Sequence, residues 1–150
     1  MSDAPTRVLF VSTGGAARAI LAEALLRHVG RAAFEVASAG TDPRPVDPLA
    51  LQVLGIAGID ATGLESRSLD AMRGQPFDYV ITVCDDARAV CPAFPGADQS
   101  LHWGYPSPAK ATGSEDERRL VYERVFVQLG ERIRQFVLIA GRARPAVAAG

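Results

Sequence analysis

Apolar and polar positions along the chain mark a series of short elements. Arg7-Val8-Leu9-Phe10-Val11 is a nearly continuous apolar run, which predicts a strand buried on both faces, as in a parallel sheet. A stretch of small residues follows, Ser12 to Arg18. A helix is then predicted from about Arg18 to Val29, with Ile20, Leu21, Ala24, Leu25 and Val29 on one face and Gly30 at its end. Phe34–Ser38 alternates as a second strand. Asp47-Pro48 has the form of a helix start, cap then proline, and leads into Leu49, Val53 and Leu54 before Gly55. A short helix is expected around Leu69–Arg73, a buried strand over Phe77–Val83, and another short strand at Leu101–Trp103. The last helix begins at Ser114, where Ser114 and Glu117 have capping-box spacing. Tyr122, Phe126, Leu129, Ile133 and Phe136 then recur at helical steps and predict a core-facing stripe. Strands alternating with helices imply an α/β fold with a parallel sheet, whose ligands sit at the carboxyl ends of the strands. Ser12 and Cys84 each follow a predicted strand, so they are expected on one face of the protein.

Composition narrows this picture. A chain of 150 residues, 48% of them hydrophobic, is the size of one domain with a real core. We expect one domain over residues 7–140, with flexible ends at 1–6 and at the Ala/Arg/Pro-rich 141–150. The net charge of −1 gives no overall field to recruit nucleic acid or a membrane surface. No segment approaches the roughly 20 apolar residues of a membrane span. The start, Met1-Ser2-Asp3-Ala4-Pro5, does not read as a secretory signal, so a cytoplasmic location is expected. Lys110 is the only lysine. Cys84 and Cys91 are the only cysteines, and in a reducing compartment such a pair more often serves redox or metal chemistry than structure.

Chemistry is concentrated in Ser12-Thr13-Gly14-Gly15-Ala16-Ala17-Arg18. Small residues between a strand and a helix let backbone N–H groups converge, and the helix N-terminus adds partial positive charge. Arg18 supplies a permanently charged fork that binds two oxygens at once. The Gly-Lys-Ser/Thr ending of nucleotide loops is absent. Taken alone, the stretch also fits a plain turn followed by a surface arginine.

Val8-Leu9-Phe10-Val11-Ser12-Thr13-Gly14-Gly15-Ala16-Ala17-Arg18-Ala19, followed by Ala22-Glu23, resembles the signature loop of the arsenate reductase/low-molecular-weight tyrosine phosphatase family: a cysteine, five residues, then Arg-Ser. The resemblance continues at Ser38-Ala39-Gly40-Thr41, Asp78–Asp85, Cys91-Pro92, His102-Trp103-Gly104-Tyr105 and Pro108-Ala109, and covers about residues 7 to 138. The Cys84/Cys91 spacing and the His-Trp-Gly stretch resemble the thioredoxin-coupled arsenate reductases in particular. The resemblance implies a three-layer fold with a central parallel four-stranded sheet flanked by helices. It also implies an oxyanion held by residues 12 to 18.

The same resemblance exposes departures. Family members attack the oxyanion with a loop cysteine, held as a thiolate by its surroundings; this chain has Ser12. A hydroxyl is a poor nucleophile without an adjacent base, and His28 and His102 are distant in sequence. The family's general acid, an aspartate before Pro-Ala, corresponds to Ser107, which does not titrate usefully. Gly15, Ala16 and Ala19 stand where family loops commonly carry Asn, Ser and Ser. Five departures together point to a repurposed site rather than one engineered exchange. The leading expectation is a non-catalytic relative that binds arsenate, phosphate or sulfate. One alternative is a working thioredoxin-coupled reductase or phosphatase that uses another nucleophile, Cys84 being the candidate. Another is a redox or arsenic-sensing module built on Cys84 and Cys91, which match the family's second and third redox cysteines. A disulfide between them requires the loop to bring their Cα atoms within roughly 7 Å; the pair also fits inherited cysteines without a duty. No cofactor and no zinc site are expected. Trp103 is expected to be a packing residue. Glu23 and Ser38 match positions that help hold potassium in some reductases, but the other two such positions are Gly15 and Arg67, so no potassium site is expected.

Overall fold

The computed structural model describes residues 4–83, 97–105 and 107–149. Four strands, β1 (Thr6–Ser12), β2 (Phe34–Gly40), β3 (Phe77–Thr82) and β4 (Ala97–His102), form one sheet. Its order is β2-β1-β3-β4 and every pairing is parallel. Helices α1 (Arg18–Gly30), α2 (Pro48–Ile56), α3 (Leu69–Met72) and α4 (Glu115–Ala149) surround it. This is the three-layer α/β arrangement expected from the sequence.

β1 is central, and its two-residue period decides the layers. Val8 and Phe10 point into the larger core with Leu21, Leu25 and Leu26 of α1, Leu54 of α2, and Leu129, Ile133 and Phe136 of α4. Leu9 and Val11 point the other way, against Leu69 and Met72 of α3. All four β1 residues have no solvent exposure, which is why the run reads as continuously apolar. The stripe predicted on α4 is the face that packs, and Ser114 and Glu117 close their capping box reciprocally: Ser114 N–H donates to Glu117 Oε1 and Glu117 N–H to Ser114 Oγ. Trp103 is buried, with its ring centroid 5.9 Å from that of Phe10 and 5.7 Å from that of Phe136, as a packing residue should be.

Two elements differ in extent from the sequence reading. β4 starts at Ala97 and stops before Trp103; it is an edge strand with exposed Gln99 and Ser100, so no apolar alternation marked it. The backbone of α4 is helical to Ala149, past the Gly141 at which the folded part was expected to end; it runs through Gly141 and Pro145, the residue types of lowest helix propensity, so no local signal carried the helix that far. Cys84 and Cys91 lie outside the described residues. The chain runs from β1 to β2 on one side and returns to β3 on the other. A crevice therefore opens at the carboxyl end of β1, where such sheets hold ligands. Ser12 is the last residue of that strand.

Candidate oxyanion site

The loop after β1 is built by backbone hydrogen bonds to one neighbouring segment. Thr41 N–H donates to the Ser12 carbonyl (3.1 Å), Asp42 N–H to Thr13 (2.8 Å), Arg44 N–H to Gly14 (2.9 Å) and Asp47 N–H to Ala16 (3.0 Å). Four loop carbonyls thus face residues 41–47. In a trans peptide the following N–H points the opposite way, so the N–H groups of 13, 14, 15 and 17 turn away from that segment, in the manner of an anion-binding nest. One of them, Gly15 N–H, donates to Ser12 Oγ at 2.9 Å, within the loop itself. Position 15 has φ +60°, and a Cβ there would lie 2.7 Å from the Gly40 nitrogen. Only glycine permits both the conformation and that approach.

The loop leads directly into α1. No side chain caps the α1 N-terminus at Ala17, and its first turn carries no acidic residue. Helix starts normally recruit a side-chain oxygen for their unpaired N–H groups; here the start faces the crevice, where an anion can play that part. Arg18, the first helical residue, is aimed by a bond from its Nη1 to the Tyr105 carbonyl, 2.8 Å. The resulting cleft is about 860 Å³. Ser12, Thr13, Gly14, Ala16, Ala17 and Arg18 form its floor, and Ser107 stands in the opposite wall. Of the residues singled out in the sequence, those six and Ser107 therefore converge; Gly15 supports from behind, against Gly40. His102 is engaged with Thr82 Oγ1, 2.7 Å from its Nδ1.

Tertiary structure adds residues that nothing in the sequence tied to the site. Arg44, Asp47 and Lys110 also line the cleft. Asp47 was legible as the α2 cap, and its Oδ1 does accept Leu49 N–H at 3.0 Å. Its other oxygen accepts the Tyr122 hydroxyl of α4, a contact between residues far apart in the chain. Burial and the Asp47 carboxylate together hold the Tyr122 phenol well above its usual range, so it remains a donor.

Behind the loop lies a buried ionic cluster. Glu23 of α1 has no solvent exposure. Ser38 Oγ donates to its Oε1 at 2.6 Å, Arg27 pairs with its Oε2, and Arg67 Nη1 lies 3.9 Å from Oε1. Burial pushes the Glu23 carboxyl above the ordinary range, against the lowering by Ser38, Arg27 and Arg67. A hard cation needs several oxygen donors. Position 15 has no side chain and position 67 brings its own positive charge, so these residues do not form a potassium donor set.

The family model for low molecular weight phosphotyrosine protein phosphatase matches residues 7–144. The chain belongs to that family. Among curated relatives, the arsenate reductase of Halalkalibacterium halodurans is 35% identical over 129 residues, 86% of this chain and 93% of that protein. That of Bacillus licheniformis is 36% identical over 130 residues, with the same coverage. Among solved structures, the thioredoxin-dependent arsenate reductase of Corynebacterium glutamicum superposes with a TM-score of 0.74 at 27% identity, covering 95% of this chain and 65% of that one. The arsenate reductase from Archaeoglobus fulgidus gives 0.71 at 27% identity, covering 87% and 98%. This low molecular weight phosphatase-family protein therefore shares its architecture with arsenate reductases along nearly its whole length. Among its described residues no helix is long and apolar enough to cross a membrane.

Proposed function

We propose that this protein binds a tetrahedral oxyanion (arsenate, phosphate or sulfate) at Ser12–Arg18 and does not turn it over by the cysteine chemistry of its family. The observation that carries the reading is the outward pinning of four loop carbonyls by residues 41–47, beside a helix N-terminus without a side-chain cap. That arrangement presents N–H groups and the Arg18 guanidinium to one cleft, and a multiply charged oxyanion complements both. Ser12 stands at the nucleophile position and Ser107 at the general-acid position. Ser12 Oγ accepts the Gly15 N–H, and the one carboxylate of the described cleft lining, Asp47, already accepts Leu49 N–H and the Tyr122 hydroxyl rather than a proton from Ser12. Titration calorimetry with phosphate and arsenate tests the binding. Millimolar or tighter affinity, lost in Arg18→Ala, is expected; no heat at millimolar anion, or binding unchanged in Arg18→Ala, removes the reading. Ser12→Cys combined with Ser107→Asp is expected to give arsenate reduction that the unsubstituted protein lacks.

The names of the relatives support a second reading, a thioredoxin-coupled arsenate reductase. In it the Cys84 thiolate would displace an oxygen of arsenate, Cys91 would attack that sulfur to form the Cys84–Cys91 disulfide and release arsenite, and thioredoxin would reduce the disulfide. Thioredoxin-dependent NADPH consumption on adding arsenate, abolished by Cys84→Ser, would establish it in place of the first. A flat trace leaves the binding protein.

A further inference from the structure

The cleft is much larger than the ion it is proposed to hold. At about 860 Å³ it falls within the roughly 300–1,000 Å³ of pockets that enclose organic ligands. Its floor is the anion loop, while its walls are partly apolar: Pro45, Val46 and Pro48 on one side, Tyr105 and Ala109 on the other. Two further cations stand in these walls. Arg44 comes from the segment that pins the loop, and its Cγ lies 3.5 Å from where a Cβ on Gly14 would be, so its stem rests on the loop. Lys110 ends the short turn Pro108–Lys110 in the opposite wall and is the only lysine of the whole chain.

Among the described residues the lining carries three cations, Arg18, Arg44 and Lys110, and one carboxylate, Asp47, in a chain whose net charge is −1. Asp47 is already committed, with one oxygen accepting Leu49 N–H and the other the Tyr122 hydroxyl. Arg44 meets Asp42 at 3.2 Å, but both side chains are about two-thirds exposed, 70% and 68%, and a pair so wetted is weak enough to be exchanged for a ligand.

We propose that Arg44 and Lys110 form a second anion subsite in this cleft, so that the site favours an organic phosphate that also carries another anionic group. The phosphate occupies Ser12–Arg18, the body lies along the apolar walls, and the second anion is read by Arg44 and Lys110. This rests on the oxyanion reading above and names its ligand class.

Non-hydrolysable probes separate the two claims. Calorimetry on the full chain compares inorganic phosphate, phenylphosphonate and 4-phosphonobenzoate, the last two differing only in a carboxylate. 4-Phosphonobenzoate is expected to bind about three- to tenfold more tightly than phenylphosphonate at low salt, and the ratio to fall toward one in Arg44→Gln/Lys110→Gln. Equal affinity of the two phosphonates, or a ratio that survives the double substitution, overturns the second-anion site while phosphate binding still supports the loop. Failure of all three to bind overturns both, and does so through the loop.

Discussion

Two regions of this protein handle charge in opposite ways. The loop Ser12–Arg18 is held largely by backbone: four of its carbonyls accept from residues 41–47, and Gly15 N–H donates to Ser12 Oγ within the loop. A few residues on along α1, Glu23 is held by side chains, Ser38, Arg27 and Arg67, in a place without solvent. The first region turns N–H dipoles away from its backbone partners; the second satisfies a charge the chain itself buries. The contrast explains how Gly15, Ala16 and Ala17 can lack polar side chains while the loop keeps its shape. Backbone pinning depends on glycine geometry and chain path, whereas the Glu23 cluster depends on the identity of every member.

Substitutions can break the comparison from either side. Glu23→Ala is expected to be the most damaging, costing about 3 kcal/mol, because it leaves two arginines without their buried partner; urea unfolding reads this directly. Gly15→Ala should follow at about 2–3 kcal/mol, because a left-handed residue gains a Cβ that meets the Gly40 backbone. Unlike Glu23→Ala, it should weaken phosphate binding more than tenfold in the fraction that remains folded. Tyr122→Phe is expected to cost about 1–1.5 kcal/mol and to weaken phosphate binding a few-fold, since Asp47 loses one of the two groups that fix it and its own N–H pins Ala16. An unchanged affinity in Tyr122→Phe would show that the 41–47 segment needs no help from α4.

The smallest effect is a pH dependence. The Glu23 carboxyl is raised in the folded state, so its contribution to stability is full below the unfolded value, near 4.5, and declines as pH rises through the raised folded value. Glu23→Gln does not titrate there. The melting temperature of the wild type minus that of Glu23→Gln should therefore be more positive below pH 4.5 than at pH 7; a constant difference would mean that Arg27 and Arg67 fully offset the burial.

The sequence by itself determined the local pieces. Continuous apolar character specified β1, a 3.6-residue period specified α1 and the packed face of α4, and Asp47 and Ser114 announced the helices they cap, because each signal lies within a few residues of its effect. It also singled out Ser12–Arg18 as a candidate anion loop, although small residues between a strand and a helix fit a plain turn equally well on local grounds. What only the tertiary structure decided are the meetings across the fold. Gly15 lies against Gly40, Asp47 bonds Tyr122, Arg67 approaches Glu23, and Arg44 and Lys110 face one cleft. Those meetings depend on the strand order β2-β1-β3-β4 and on how the crossovers fold back, which no short window of the chain encodes.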